Sequence, residues 1–309
     1  MTPSATTGPL GELTERGCPT CGSRDDGRLF AEQRLDLDAL DENAFASRKR
    51  PEHMRLRLVD CPGCDLVYAS PVPSPEALAR AYDAAAFDSA EEARYAARSY
   101  ADALRGLTAT LPDRSGALDI GTGEGAFLAE LLKLGFTDVG GVEPSAAPIE
   151  AADPAVAGLI EHGVFRPGIR PAGSLSLITC FQTIEHVPDP AELVRDAVAL
   201  LKPGGMLVLV CHNRRAPINR VLSMRSPIVD IEHMQLFSPR SVDELLRRGG
   251  LQDVRHRTIR NRYPIRYWAR LMPLPDRPRA LVSGALERSG LGARPLAVSV
   301  GNMLAWGRR

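Results

Sequence analysis

Three glycines alternate at positions 121, 123 and 125 directly after the apolar run Leu118-Asp119-Ile120, and a second apolar run, Val139 to Val142, delivers Glu143. Glycines at this spacing remove the Cβ atoms that keep a ligand away from the backbone, and they permit a sharp turn from strand into helix. A carboxylate at the end of the next strand can accept both hydroxyls of a ribose, each hydrogen bond being worth about 1.5 to 3 kcal/mol when the acceptor is charged. The pair predicts a ligand that carries adenosine. Gly121, Gly123 and Ala126 also satisfy the dinucleotide pattern G-x-G-x-x-[GA], with an acid about 20 residues on, so the motif alone leaves a nicotinamide cofactor open.

Four cysteines form two knuckles, Cys18-Pro-Thr-Cys21 and Cys61-Pro-Gly-Cys64. Each C-x-x-C turn presents two sulfurs while its backbone amides stabilise their charge, and four thiolates suit a tetrahedral zinc ion. A closed shell of four cysteines leaves no position for a reacting water, which makes the expected zinc structural and not catalytic. The long spacer between Cys21 and Cys61 contains no recognition helix of the nucleic-acid finger type. Two readings stay open for this ribbon: a folding staple, or a surface that recognises substrate or partner. Cys180 and Cys211 end apolar strands and read as small buried hydrophobes.

The 309 residues, 44% hydrophobic and 25% charged, suit a soluble globular chain with one principal core and a small appendage. Lys plus Arg and Asp plus Glu both number 38, so no global positive field draws in nucleic acid or an anionic membrane. No apolar run approaches the roughly 20 residues that span a bilayer, and Met1 to Arg16 lacks the apolar core of a secretion signal. A cytoplasmic location is the expectation, with the cysteine pairs kept reduced for metal.

The elements that must position these residues follow from periodicity. Residues 1–16 read as a flexible tail and 17–72 as the cysteine-anchored ribbon module. Residues 73–309 form the ligand-binding domain. Ser74 and Pro75 cap a helix through Ala86, and a second helix runs from about Glu91 to Leu111. From Ala117 onward, short Val/Ile/Leu runs alternate with helical periods, the mark of a parallel α/β sheet covered on both faces. Strands are expected at 117–120, 138–142, 158–161, 175–180, 206–211, 252–259 and 296–306, and further helices at 124–134, 146–152, 190–201 and 239–249. The Pro- and Arg-rich segment 262–292 separates the last two strands and is longer than a simple hairpin.

Across residues 75–260 the chain resembles class I S-adenosylmethionine-dependent methyltransferases. Asp119 with Gly121-Thr122-Gly123-Glu124-Gly125 matches their first motif, and Val142-Glu143-Pro144-Ser145 their ribose-binding acid. Phe181 to Pro190 is similar to their segment after the fourth strand, and Leu201 to Val210 to their turn into the fifth. The stretch from Cys61 to Pro71 resembles bacterial sugar and natural-product methyltransferases with an N-terminal zinc-binding domain. The resemblance implies a Rossmann-like sheet of seven strands with the last antiparallel, S-adenosylmethionine as cofactor, and Phe181-Gln182 against its methionine part. The last two strands are antiparallel neighbours in the resembled fold, which implies that 262–292 is an insertion on the functional edge of the sheet that could shape a substrate pocket. The resemblance further implies a small-molecule or glycan acceptor methylated at oxygen or carbon, and leaves the oligomeric state open.

Methyl transfer from a sulfonium is an in-line displacement that needs positioning, worth roughly 7 to 11 kcal/mol, and a base for an acceptor of high pKa, worth roughly 10²- to 10⁴-fold. His186, next to Glu185 at the carboxyl end of the fourth strand, is the leading candidate; the other reading is a histidine that packs and orients its loop. In the resembled sugar C-methyltransferases a Glu-His pair here is linked to base chemistry. Glu232-His233 belongs to a segment that family members place above the same pocket, as a second base or a surface loop. His212-Asn213 reads as pocket lining or a satisfied turn. Tyr82 stands where relatives carry a pocket-facing tyrosine, with core packing as its alternative, while Phe87 replaces a second tyrosine. Ser176 stands in place of a common aspartate, and no adenine-contacting acid is assigned. Gln-Thr-Ile-Glu replaces the Asp/Asn-Pro-Pro-Tyr segment of base-amine methylases, which argues against nucleic acid. Two alternatives remain: a zinc-ribbon RNA methyltransferase using Arg48 to Arg50 and the arginines at 255–270, and a binder of S-adenosylmethionine or S-adenosylhomocysteine without turnover.

Overall fold

A computed structural model describes residues 10–24, 27–36, 45, 54–85, 90–271 and 276–309. Arg48 to Arg50, Ala86, Phe87 and the expected tail through residue 9 lie outside these residues. The N-terminal part contains five short strands, β1 (Leu13–Thr14), β2 (Arg28–Ala31), β3 (Leu58–Asp60), β4 (Val67–Ala69) and β5 (Val72–Pro73). Helices α1 (Pro75–Asp83) and α2 (Ala90–Thr108) follow. The Ser74 hydroxyl accepts the amide of Ala77, and Pro75 fills the first turn, which starts α1 where the sequence places it.

Alternating strands and helices then run β6 (Gly116–Ile120), α3 (Ala126–Lys133), β7 (Asp138–Glu143), α4 (Ala146–Glu150), α5 (Pro154–Ala157), β8 (Ile160–His162), β9 (Leu175–Phe181), α6 (Pro190–Leu200) and β10 (Leu201–His212). After α7 (Pro217–Leu222) and β11 (Gln235–Leu236) come α8 (Pro239–Arg248), β12 (Gln252–Thr258), β13 (Asn261–Pro264), α9 (Ile265–Leu271), α10 (Asp276–Arg288), β14 (Pro295–Val298) and β15 (Asn302–Arg308). The principal sheet has the order β12-β15-β10-β9-β6-β7-β8. Its strands from β10 to β8 are parallel, and β15 is antiparallel to both β10 and β12. This is the seven-stranded sheet with an antiparallel last strand that the motifs implied.

Residues alternate across the sheet with the period of the pleat. Leu177 and Val208 face one layer with Tyr100, Leu104, Phe127 and Leu131 of α2 and α3. Ile178 and Leu207 face the other, with Leu193 and Val194 of α6 and Leu245 and Leu246 of α8. Cys18, Cys61, Cys64 and Tyr68 belong to that second cluster, so the cysteine-bearing segment packs into the main core. The connection is also a sheet: β11, from the loop after β10, pairs with β4 and completes a four-stranded sheet β11-β4-β3-β2.

One expected strand is corrected. The run 296–306 divides at Gly301, whose φ of +88° turns the chain and whose position would bring a Cβ within 2.7 Å of Asn219 Nδ2. Its first part, β14, pairs with β13 in a separate ribbon, and only β15 joins the principal sheet. The segment between β12 and β15 is therefore not simple coil. It holds α9, α10 and the β13–β14 ribbon, and it leaves from the carboxyl edge of the parallel strands.

Candidate active site and cysteine cluster

The glycine turn folds between β6 and α3, and its three glycines answer to different constraints. A Cβ on Gly121 would lie 2.3 Å from Thr183 Oγ1, so this residue lets the turn after β9 nest against the loop. A Cβ on Gly123, at φ +57°, would meet nothing within 4 Å, which leaves its backbone face open to a ligand. The Gly123 amide donates to Glu143 Oε2 at 2.8 Å, and the Ser145 amide donates to Oε1 at 3.0 Å. Burial raises the Glu143 pKa, and these amides oppose the shift. Glu143 is thus held beside the open glycine, with the lone pairs of a carboxylate available for a diol.

Asp119 lies beneath this turn. Thr179 Oγ1 donates to Asp119 Oδ1 at 2.6 Å, tying β6 to β9, and burial pushes the Asp119 pKa up to about 7. Thr122 and Gly125 complete the loop, and the Pro144 carbonyl lies 3.1 Å from His162 Nε2. Where the family commonly has an acid, Ser176 donates to Asp113, which reaches in from the segment before β6 and also binds Lys202 at 2.9 Å.

The segment after β9 carries the next group. Phe181 packs against Tyr100 and Phe127, with both centroid distances 4.8 Å, so its ring belongs to the aromatic core layer. Gln182 has φ +52°, an uncommon conformation for this residue, and its buried Nε2 has no hydrogen-bond partner among the described residues. A left-handed residue with an unpartnered buried amide beside the glycine turn is a candidate ligand contact.

His186 Nδ1 lies 3.0 Å from the Glu232 carbonyl. A carbonyl can only accept, which places a proton on Nδ1; in the neutral ring Nε2 then carries the lone pair. Tyr82 donates to the same carbonyl at 3.3 Å, and its ring lies 6.0 Å from that of His186. Burial raises the Tyr82 pKa well above its ordinary value, so the phenol stays neutral. The backbone carbonyl of Tyr82 accepts from Ser145 Oγ at 2.6 Å, so α1 links the turn after Glu143 to the histidine loop. His233 stands 4.8 Å from His186 and 5.2 Å from His212, centroid to centroid. The structure thus brings together His186, His233, Tyr82 and His212. His212 Nδ1 lies 2.8 Å from Asn302 Oδ1, and burial lowers the His212 pKa.

Glu185 meets this group through the backbone of His212. It is fully buried, accepts the His212 amide at 2.7 Å, and leaves Oε2 without a partner among the described residues. Burial, opposed by that amide, raises its pKa to about 7. The unfolded carboxyl loses its proton near the ordinary value while the folded one keeps it to about 7, so stability falls as pH rises across that window. Glu185→Gln is expected to remove the pH dependence from this group and to stabilise the protein by on the order of 2 kcal/mol above it. Urea unfolding of both proteins between acid and mildly alkaline pH checks this; parallel curves would contradict it.

The four cysteines of the two knuckles converge. Cys18 and Cys64 sulfurs lie 3.5 Å apart, as do those of Cys21 and Cys61, and all four lie within 4.8 Å of one another. Zinc–sulfur bonds of about 2.3 Å in a tetrahedron separate the sulfurs by roughly 3.7 Å, so the donor set fits. A hydrogen bond from Cys64 pulls Cys18 down to about 5, the same contact raises Cys64, and burial raises Cys61 to about 11. Four thiolates share this space only with a cation among them. Arg214 donates to Asp60 at 2.7 Å and to Asp65, Arg215 donates to Asp65 at 3.0 Å, and Arg240 donates to the Gly63 carbonyl at 2.6 Å. The second knuckle is therefore gripped by residues that follow β10.

Arg16 and Gln235 carried no signal in the sequence. Their partners lie up to 219 positions away; Arg16 belongs to no motif, and Gln235 lies in the segment after Glu232-His233 without a role that its type or spacing announces. His212 was visible only as a polar residue at a strand end.

A family described as a methyltransferase domain matches residues 92–256, just over half of the chain. The ubiquinone biosynthesis O-methyltransferase of Marinobacter nauticus is 32% identical over 139 residues, covering 41% of this chain and 55% of that protein. Its namesake in Escherichia coli O9:H4 is 29% identical over 133 residues, covering 41% and 53%. The chain thus spans about half the length of these curated relatives. A solved S-adenosylmethionine-dependent methyltransferase from Thermotoga maritima is 20% identical, with a TM-score of 0.46 and coverage of 70% and 91%. With the glycine turn, the acid on the second strand and the seven-stranded sheet, the match over residues 92–256 makes this chain a member of the methyltransferase domain family.

Proposed function

We propose that this protein uses S-adenosylmethionine to methylate an oxygen of a small-molecule or sugar-containing acceptor. The observation that carries the reading is the Glu143 carboxylate fixed by the Gly123 amide at 2.8 Å, beside a glycine with open space above it. Relatives named as O-methyltransferases favour oxygen over carbon. Glu143 accepts the ribose hydroxyls, Gly121 to Gly125 present backbone, and Gln182 Nε2 donates to the amino-acid part. Asp119 and Thr122 brace the turn, and Pro144 leads the chain away from it.

Bound there, S-adenosylmethionine supplies a methyl group already activated on a sulfonium. His186 Nε2 would take the acceptor's hydroxyl proton as that oxygen receives the methyl group, so that S-adenosylhomocysteine would leave as the other product. The Glu232 carbonyl keeps the other nitrogen protonated, so the base presents its lone pair in one orientation. His233 and His212 line the acceptor side, and Tyr82 orients Glu232. In this reading Glu185 is a positioning residue, because its carboxyl is buried against the His212 amide.

The cysteines bind one structural zinc ion. A cytoplasmic setting accompanies the reading, since four zinc-binding thiolates need a reducing compartment. Among the described residues no helix is long and apolar enough to cross a membrane.

The test is transfer of label from methyl-labelled S-adenosylmethionine to a panel of phenols, hydroxy acids and sugar nucleotides. His186→Ala is expected to lower kcat by roughly 10²-fold or more, with S-adenosylhomocysteine affinity kept. Transfer that survives at the wild-type rate would contradict the assignment of the base, and transfer to RNA alone would contradict the acceptor class.

A further inference from the structure

The loop that carries His186 is anchored through its backbone carbonyls. Gln235 Nε2 donates to the Ile184 carbonyl at 3.0 Å and to the Val187 carbonyl at 2.7 Å. The Met234 amide donates to the Glu185 carbonyl at 2.8 Å. Arg16 Nη1 donates to the Pro188 carbonyl at 2.6 Å. The four carbonyls on either side of His186 are all held, and the donors come from two distant parts of the chain.

Arg16 joins those parts. Its Nε donates to the Ala69 carbonyl of β4 at 2.9 Å, and Nη2 donates to the Met234 carbonyl and to Gln235 Oε1, both at 3.0 Å. Its backbone amide donates to Ser70 Oγ at 3.1 Å. One guanidinium therefore touches the cysteine-bearing sheet, the β11 segment and the His186 loop. Gln235 is fully buried, and its amide is used at both ends, accepting from Arg16 and donating to the loop. Arg16 lies two residues before Cys18, so the cysteine cluster fixes the chain that delivers it.

We propose that Arg16 and Gln235 form a strut through which the cysteine module positions His186. The inference rests on the reading of His186 as the base. The planar fork matters: an ammonium cannot reach four acceptors lying in different directions, whereas a guanidinium can. A misplacement of about 1 Å at a reacting group can cost roughly 10²-fold in rate, so holding the four carbonyls that flank His186 serves the placement of the base as well as stability.

The experiment uses the zinc-replete full chain with ¹⁵N-labelled histidine. Arg16→Lys keeps the charge and loses the fork, and Gln235→Met removes the bridging amide at similar volume. In the parent protein His186 is expected as a single Nδ1–H tautomer. In each variant the Nε2–H form appears, and the amides of His186, Met234 and Gln235 exchange with solvent roughly tenfold faster or more. Affinity for S-adenosylhomocysteine stays within about twofold, and the double variant moves these readouts little further than either single one. An unchanged tautomer and unchanged exchange in both variants would overturn the strut, as would loss of S-adenosylhomocysteine binding in parallel. The base reading is tested separately by His186→Ala: full transfer in that variant, with the tautomer still released by Arg16→Lys, removes the base and leaves the strut standing.

Discussion

Glu143→Ala is expected to weaken binding of S-adenosylhomocysteine by about 10²-fold or more, the loss of two hydrogen bonds to a charged acceptor. The carboxylate is held by the Gly123 and Ser145 amides, so it is placed before any ligand arrives and little ordering is needed on binding. Glu143→Gln retains one acceptor oxygen and is expected to fall between the two, roughly tenfold weaker than the parent. Because burial raises the Glu143 pKa, affinity should also decline as pH falls through that raised value, and Glu143→Gln should lack this decline. Calorimetric titration of the three proteins measures all of this. Equal affinities would mean that the adenosyl group binds elsewhere.

The second large effect concerns the cysteines. Structural zinc binding is worth about 10 to 16 kcal/mol in apparent terms, as much as the whole stability of an ordinary domain at about 5 to 15 kcal/mol. The protein as isolated is expected to hold one zinc ion, and a strong chelator should unfold at least the β2-β3-β4 sheet. Cys64→Ala should act similarly, since it breaks a shell whose sulfurs lie 3.5 Å apart and whose members belong to the main core. Circular dichroism and thermal melting with and without chelator check the effect. A melting temperature that ignores both treatments would contradict a structural metal.

The parts of this molecule that local rules govern were legible in its residues. Glycine spacing, the Ser74-Pro75 and Ser238-Pro239 helix starts, and the apolar runs of β6, β9 and β10 each follow from chemistry within a few residues. The cysteine knuckles were legible for the same reason, because each tight turn is its own motif. What could not be read were relations set by the tertiary fold. The split at Gly301 depends on Asn219 and Ala216 crowding it, and a run of apolar residues carries no trace of that. Phe181 packs its ring against Tyr100 and Phe127, contacts that its sequence neighbours do not announce. Glu185 and His186 are neighbours in sequence that face different environments, one against the His212 amide and the other on the Glu232 carbonyl. Arg16 reaches Pro188 only because β11 and β4 share a sheet.

An adenosyl sulfonium that lies across the glycine turn with its ribose on Glu143 must leave a binding signature. Titration of the zinc-replete protein with S-adenosylhomocysteine tests it most directly. The expected result is saturable one-to-one binding in the micromolar range or tighter, displaced by S-adenosylmethionine and indifferent to nicotinamide dinucleotides. No binding heat, or binding of the dinucleotide in its place, would contradict it.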